Sequence, residues 1–386
     1  MTGGADTGPG GAGAGGAGAG GAGAGGAGAV PAGAGPANGL TDVRGLRVGH
    51  ATLTTAGWLT GTTVVLADGE GAVAGVDVRG SGPGTRETDL LDPRNTVERV
   101  QAIVLSGGSA YGLAAATGVM GALAAAGRGV QVAPDPASVV PIVPAAILFD
   151  LGRGGVFGHY PGEEAGRAAY NDAVGPAGAG PVRQGNVGAG TGAVAGGIRG
   201  GIGTASAVLP GGAVVAALAA VNAHGSPYHP ATGVLYGAQF GLPGEFDWLR
   251  PPGETPSASG VPGAGLFGHG ADAQPFNTTI GVVATDLTLT KAQCSKLAAV
   301  GQDGLARAIR PAHTMSDGDT IFGLATCAGP APSLEATHDL LAAAADCFTR
   351  AVMHAVLAAT TVSTPAGTWL SYLDTFPSAA SPGVSS

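Results

Sequence analysis

Asn277-Thr278-Thr279-Ile280-Gly281-Val282-Val283-Ala284-Thr285-Asp286 is the stretch whose reading decides the rest. About twenty-five loop-like residues rich in Gly, Pro, Ala and Ser precede it, and it turns at once into a β-branched, apolar run. Such a run predicts a buried strand. A strand starting this abruptly on a small hydroxyl residue fits an N-terminal nucleophile better than an ordinary loop–strand junction. The expectation is cleavage between Asn277 and Thr278, leaving Thr278 as the first residue of a new chain.

Outward from that strand, three segments form one constellation: Asn222 at the end of the apolar run Ala213–Val221, Thr278, and Asp317-Gly318-Asp319 in a turn before the strand Ile321–Thr326. A threonine hydroxyl is a poor nucleophile without a base, and a chain-terminal threonine has its own α-amine for that task. An α-amine titrates near 7.7–8.0, so much of it is neutral close to pH 7. Asp317 and Asp319 are placed to hold the amine and hydroxyl in reacting geometry. Asn222 offers an amide NH₂ suited to an oxyanion. Plain turn and cap roles remain open for the Asp-Gly-Asp and Asn222 segments from spacing alone. His224, His229 and His313 are too scattered to define a metal site, so no metal and no organic cofactor is expected.

Two other motifs are weaker. Arg79-Gly80-Ser81-Gly82-Pro83-Gly84-Thr85 is glycine-rich, but Pro83 and the acidic continuation Glu87, Asp89 and Asp92 argue against a phosphate cradle. Ser106-Gly107-Gly108-Ser109-Ala110-Tyr111-Gly112 has Tyr111 where a nucleophile elbow needs its second Gly. Ser109 is read there as a helix cap.

The 386-residue chain carries a net charge of −9 and no basic cluster, which excludes nucleic acid as an expected partner. No uncharged apolar run of membrane-spanning length is present, so no membrane partner is expected. Cys294, Cys327 and Cys347 fit neither a disulfide framework nor a zinc site, and a cytoplasmic location is expected. Aromatic residues are only 5%, so the core must be Ala, Val, Leu and Ile. Residues 1–37 read as a disordered Gly/Ala-rich tail, 38–365 as a single catalytic domain, and 366–386 as a C-terminal tail. Strands and helices fall in separate blocks, which predicts layered α+β packing. Helices are expected over 289–309 and 334–359.

From about Gly39 to Thr361 the chain resembles the L-aminopeptidase/D-esterase (DmpA-like) family of self-processing hydrolases. The resemblance rests on Gly39-Leu40-Thr41-Asp42-Val43, the Asp77–Thr85 and Ser106–Gly112 loops, Gly188-Ala189-Gly190-Thr191-Gly192, Asn277-Thr278-Thr279 and Asp317-Gly318-Asp319-Thr320. The Asn-Thr junction with Asp-Gly-Asp is nearest to its nylon-oligomer-hydrolase-like threonine branch. The resemblance implies a four-layer αββα sandwich of the DmpA/ornithine-acetyltransferase-like type. It also implies a Thr278 nucleophile with Asp317, Asp319 and Asn222 around it, a small-molecule amide or peptide substrate, and a homo-oligomer, a tetramer of processed heterodimers. An acyltransferase on the same fold and a non-cleaving binding protein are the alternatives. In the nylon branch a Lys follows the Gly-Ala-Gly stretch; here Arg199 is the only nearby cation, and Phe149 stands where the family has a pocket Tyr.

Overall fold

The computed structural model describes residues 31–254 and 276–381. The β-branched run does form a strand, Ile280–Thr285, buried along its whole length. It lies inside a six-stranded sheet ordered Gly201–Val208, Val214–Val221, Ile280–Thr285, Thr320–Ala325, Ala72–Val78, Arg99–Val100. It runs antiparallel to Val214–Val221 and parallel to Thr320–Ala325. A strand with neighbours on both edges and layers on both faces needs an unbroken apolar sequence, and this one has it.

Alternation along the strand sets the layers. Ile280, Val282 and Ala284 face a core shared with Leu218, Ala220, Phe322 and Leu324. Across that core lies a five-stranded sheet ordered Leu46–Leu53, Thr60–Ala67, Ala102–Ser106, Ala145–Ile147, Thr85–Arg86, which contributes Val65, Ile103 and Leu105. Val283 faces the other way, into a core closed by helices α3 (Lys291–Ala308) and α4 (Leu334–Leu357) through Leu297, Leu305, Phe348 and Val352. Gly281 lies on this face because a Cβ there would meet the Phe348 ring at 2.6 Å. The outer face of the five-stranded sheet is covered by α1 (Ala114–Ala125) and α2 (Glu163–Val174), packing Ala115, Val119, Leu123, Ala169 and Ala173 on Val64, Leu66 and Val104. The order of layers is helix, sheet, sheet, helix, as the resemblance implied.

Side chains this small bring backbones into contact. A Cβ on Gly166 of α2 would lie 1.9 Å from the Ala115 carbonyl of α1. α3 begins one residue after Thr290, whose hydroxyl accepts from Gln293 N while Gln293 reaches back to the cap. α4 follows Ser333, whose hydroxyl accepts from Ala336 N with no reciprocal bond. It is long and apolar enough to cross a bilayer, but 72% of its most apolar window is buried within this fold.

Three expectations are corrected. Ser109 caps no helix: it has a left-handed backbone (φ 53°), and its N–H donates to Leu148 O. Residues 31–37 are not tail. Gly33 bridges Val208, and Gly35 N donates to Ser206 Oγ at 2.9 Å; residues 1–30 lie outside the described residues. Residues 366–381 are not tail either. They form a short hairpin and a helical turn whose Tyr372 and Phe376 pack with Ile198, Leu235, Phe246 and Met353. Tyr372 and Phe376 are spaced i, i+4 across that turn, and each removes a large apolar surface from water.

Candidate active site

Sheet register brings the constellation together. Ala220 pairs with Ile280 antiparallel, so two residues further Asn222 lies beside Thr278. Ile280 pairs with Thr320 in parallel, so two residues back Gly318 lies on the other side. The hydrogen bonds follow that geometry. Thr278 N donates to Asn222 O at 2.5 Å. Gly318 N donates to Thr278 Oγ1 at 2.9 Å. Thr279 N donates to Asp319 Oδ1 at 2.7 Å, and Asn277 N to Ser316 O at 3.0 Å. The Asn277–Thr278 peptide is thus clamped on both sides.

Thr278 has φ 142°. Positive φ in a β-branched residue is strained, by roughly 1–3 kcal/mol, and persists only where surrounding contacts over-determine it. Here those contacts are the clamp, and Thr278 is 3% exposed.

Both aspartates are buried, at 1% exposure each. Asp319 Oδ2 accepts from His313 N at 3.1 Å and meets His313 Nδ1 at 2.8 Å. Asp317 accepts from His224 N at 3.0 Å through Oδ1 and from the Thr314 hydroxyl at 2.5 Å through Oδ2. Burial pushes the Asp317 carboxyl above its ordinary range, and the nearby Asp319 charge adds to the rise. The Asp-Gly-Asp turn therefore reaches Thr278 by way of Gly318 N and the neighbouring Thr279. His313, which sequence spacing does not tie to the site, is Asp319's partner through a tight turn in which its own φ is 56°.

Asn222 is fully buried. Its Oδ1 accepts from Arg153 Nη1 at 2.5 Å and Val194 N at 3.0 Å, and its Nδ2 donates to Phe149 O at 3.0 Å. The Phe149 ring lies 6.0 Å from that of Phe276, which precedes the Asn277–Thr278 junction and is 57% exposed. The face that the missing Tyr would have made polar is therefore apolar.

The cation at the site is not Arg199. Arg199 is buried and donates to Thr191 O at 2.6 Å and to Ala193 O and Thr360 O at 3.3 Å, a purely structural set of carbonyls. Burial and the field of Arg153 bring its pKa down to about 9. Arg153 holds the place beside Asn222 and also donates to Gly192 O at 2.7 Å. Burial lowers it to about 10, partly countered by the charge of Asp150. Asp150 accepts from Gly108 N at 2.7 Å, and burial raises its carboxyl to about 6. Nothing in the sequence near Arg153 marks it, since it reaches Asn222 across 69 residues.

Comparison with known proteins agrees with this architecture. Residues 38–369 match peptidase family S58. A protein of Mycobacterium tuberculosis (strain ATCC 25618 / H37Rv), named an uncharacterized aminopeptidase, is 48% identical over 361 residues, 89% of this chain and 99% of its own length. The 6-aminohexanoate-oligomer endohydrolase of Kocuria sp. (strain KY2) is 30% identical over 278 residues, 69% of each chain. Among solved structures, the L-aminopeptidase D-Ala-esterase/amidase of Ochrobactrum anthropi, described as a variant of the Ntn hydrolase fold, superposes with a TM-score of 0.67. It is 22% identical and covers 90% of this chain and 96% of its own. A Burkholderia sp. beta-aminopeptidase gives a TM-score of 0.66 at 23% identity, covering 93% and 98%. The fold is thus that of the N-terminal-nucleophile hydrolases, in its DmpA-like variant. The chain belongs to peptidase family S58 and is a hydrolase.

Proposed function

We propose that the chain cuts itself between Asn277 and Thr278 and then hydrolyses small amides or short peptides through an acyl-enzyme on Thr278, as an aminopeptidase. The observation that carries this reading is the clamped Thr278, strained at φ 142° with a hydroxyl that accepts from Gly318 N. In the first reaction Oγ1 attacks the Asn277 carbonyl carbon, an ester bond forms, and the amide nitrogen leaves with the hydroxyl's proton as a free α-amine. Water then hydrolyses the ester, releasing Asn277 as a carboxylate. In later turnovers the Thr278 amine takes the hydroxyl proton, acylation by substrate releases its amine portion, and water frees the acid. The Gly318 N–H stabilises negative charge developing on Oγ1, and Asn222 Nδ2 serves the substrate's oxyanion.

Asp317 and Asp319 act as a coupled pair. With Asp317 raised, one of them holds a proton to higher pH than an ordinary carboxyl. Before the cut there is no α-amine, so one of these carboxylates is the base for maturation. The aminopeptidase and 6-aminohexanoate-oligomer relatives support an amide substrate. A cytoplasmic homotetramer of cleaved chains is the assembly proposed.

Denaturing electrophoresis with N-terminal sequencing of purified protein tests the reading. Two chains are expected, the smaller beginning at Thr278. One intact chain after prolonged incubation of folded protein would sink it.

A further inference from the structure

We propose that Arg153 is the positioning residue of this reaction, holding the Asn222 amide with Oδ1 turned inward so that Nδ2 is the donor offered to the reacting carbonyl oxygen. The inference rests on the hydrolytic reading above.

An asparagine amide has two faces of nearly equal shape, and only its partners decide which is presented. At Asn222 both partners of Oδ1 are obligate donors: the Arg153 guanidinium at 2.5 Å and the Val194 backbone N–H at 3.0 Å. A flipped amide would set its NH₂ against those two donors. Nδ2 is thereby fixed on the opposite side, where one of its hydrogens goes to Phe149 O at 3.0 Å and the second is the one offered to the reacting carbonyl oxygen. A cation on the oxygen of an amide also polarises it, which strengthens its N–H as a donor.

The cost of burying this charge shows that it is held in place. Arg153 is 9% exposed, and an unpaired guanidinium at such depth is strongly unfavourable. Its compensation comes from Gly192 O, Asn222 Oδ1 and the field of Asp150, itself anchored by Gly108 N. The Arg153 carbonyl accepts from Thr364 Oγ1 at 2.6 Å, which ties the turn to the C-terminal hairpin. Gly154 packs so closely on Gly57 and Trp58 that a Cβ would lie 2.4 Å from the Trp58 carbonyl carbon. The guanidinium thus links its own turn to Gly192 and to Asn222 at the oxyanion donor. Both bonds leave from the single nitrogen Nη1, so a lysine ammonium, a point charge with three donors, would keep the charge and serve the same two oxygens in part.

The experiment is a double-mutant cycle on the purified full chain, with Arg153→Met, Asn222→Ala and the pair. Alanine p-nitroanilide gives kcat and KM, and p-nitrophenyl acetate gives the rate of acylation of the Thr278 chain by mass. Arg153→Met is expected to lower kcat by roughly 10²-fold, in the range of a lost oxyanion donor, with KM unchanged. In the Asn222→Ala background it should cost nothing more, and Arg153→Lys should recover part of kcat. A merely structural arginine would give losses that multiply in the pair, or a raised KM with kcat intact; either overturns the inference while the hydrolytic reading stands. Should Arg153→Met not fold, the same cycle run with Arg153→Lys decides by the same criterion. A wild type that neither cleaves itself nor takes the acyl group overturns the hydrolytic reading and this inference with it.

Discussion

The two ends of the strand Ile280–Thr285 are alike in composition and opposite in use. Each end carries a buried threonine and a buried carboxylate. At the far end the Thr285 hydroxyl lies 2.8 Å from Val214 O, and Asp286 Oδ1 accepts from Val214 N at 3.0 Å. A carbonyl can only accept, so the Thr285 hydroxyl must give up its proton to that bond. At the near end Thr278 meets the Gly318 N–H, which can only donate, so its hydroxyl accepts and its proton stays available to a base. The carboxylates differ too. Asp286 has the exposed Arg44 guanidinium at 3.5 Å, a permanent charge, beside a cavity of about 310 Å³ lined by Leu209, Leu287 and Pro330. Asp319 has His313, whose charge is conditional. The direction of one hydrogen bond separates a threonine that closes a strand end from one equipped to attack.

The sharpest way to break the comparison is Thr278→Ala. It is expected to abolish both the cut and all turnover while leaving thermal unfolding close to wild type, since a small residue replaces a small one. A cut at the same bond in this variant, seen by intact mass, rules out Thr278 as the nucleophile. Next in size is Asp319→Asn, which keeps the shape and removes the charge. Its new NH₂ cannot accept from either Thr279 N or His313 N–H, whichever way it turns. Maturation should slow and most hydrolysis should disappear; a time course of chain cleavage at wild-type rate reduces the Asp317-Gly318-Asp319 segment to a turn. The smallest effect belongs to the other end. Thr285→Val keeps the volume and removes the shorter of two bonds to Val214 O, which keeps Asp286 N at 3.4 Å, at about 0.5–1.5 kcal/mol of stability. Denaturant unfolding should show that loss, with maturation and turnover untouched. Equal damage to activity from both threonines would erase the distinction.

Much of this was legible in the chain itself. A β-branched run predicts a strand, and Thr278, Asn222 and the Asp-Gly-Asp turn each lie at a strand boundary visible in sequence. What could not be read was direction and depth. Register alone decides that Gly318 N, rather than a carboxylate, meets the Thr278 hydroxyl, and register is a long-range property of pairing. Arg199 looked like the cation of the site because it is near in sequence to the Gly188–Gly192 loop. The fold turns it onto carbonyls and brings Arg153 in from a turn 69 residues before Asn222. Residues 366–381 read as tail because the stretch is short and rich in Ser and Ala; the i, i+3, i+7 spacing of Trp369, Tyr372 and Phe376 is a helical signal too brief to stand out there. Their burial depends on a hollow that other segments provide.

The backbone contact between α1 and α2 has a thermodynamic side. An interface of glycine and alanine freezes no side-chain rotamers on folding, so it forgoes apolar area and also escapes the entropy penalty that larger side chains incur. The same economy removes any means of adjustment. Where a Cβ would lie 1.9 Å from a carbonyl, as at Gly166, no rotamer change can absorb an added methyl group, and only movement of a whole helix could. The abundance of glycine usually taken as a sign of pliability is, in these layers, a source of stiffness, and such positions are closed to drift.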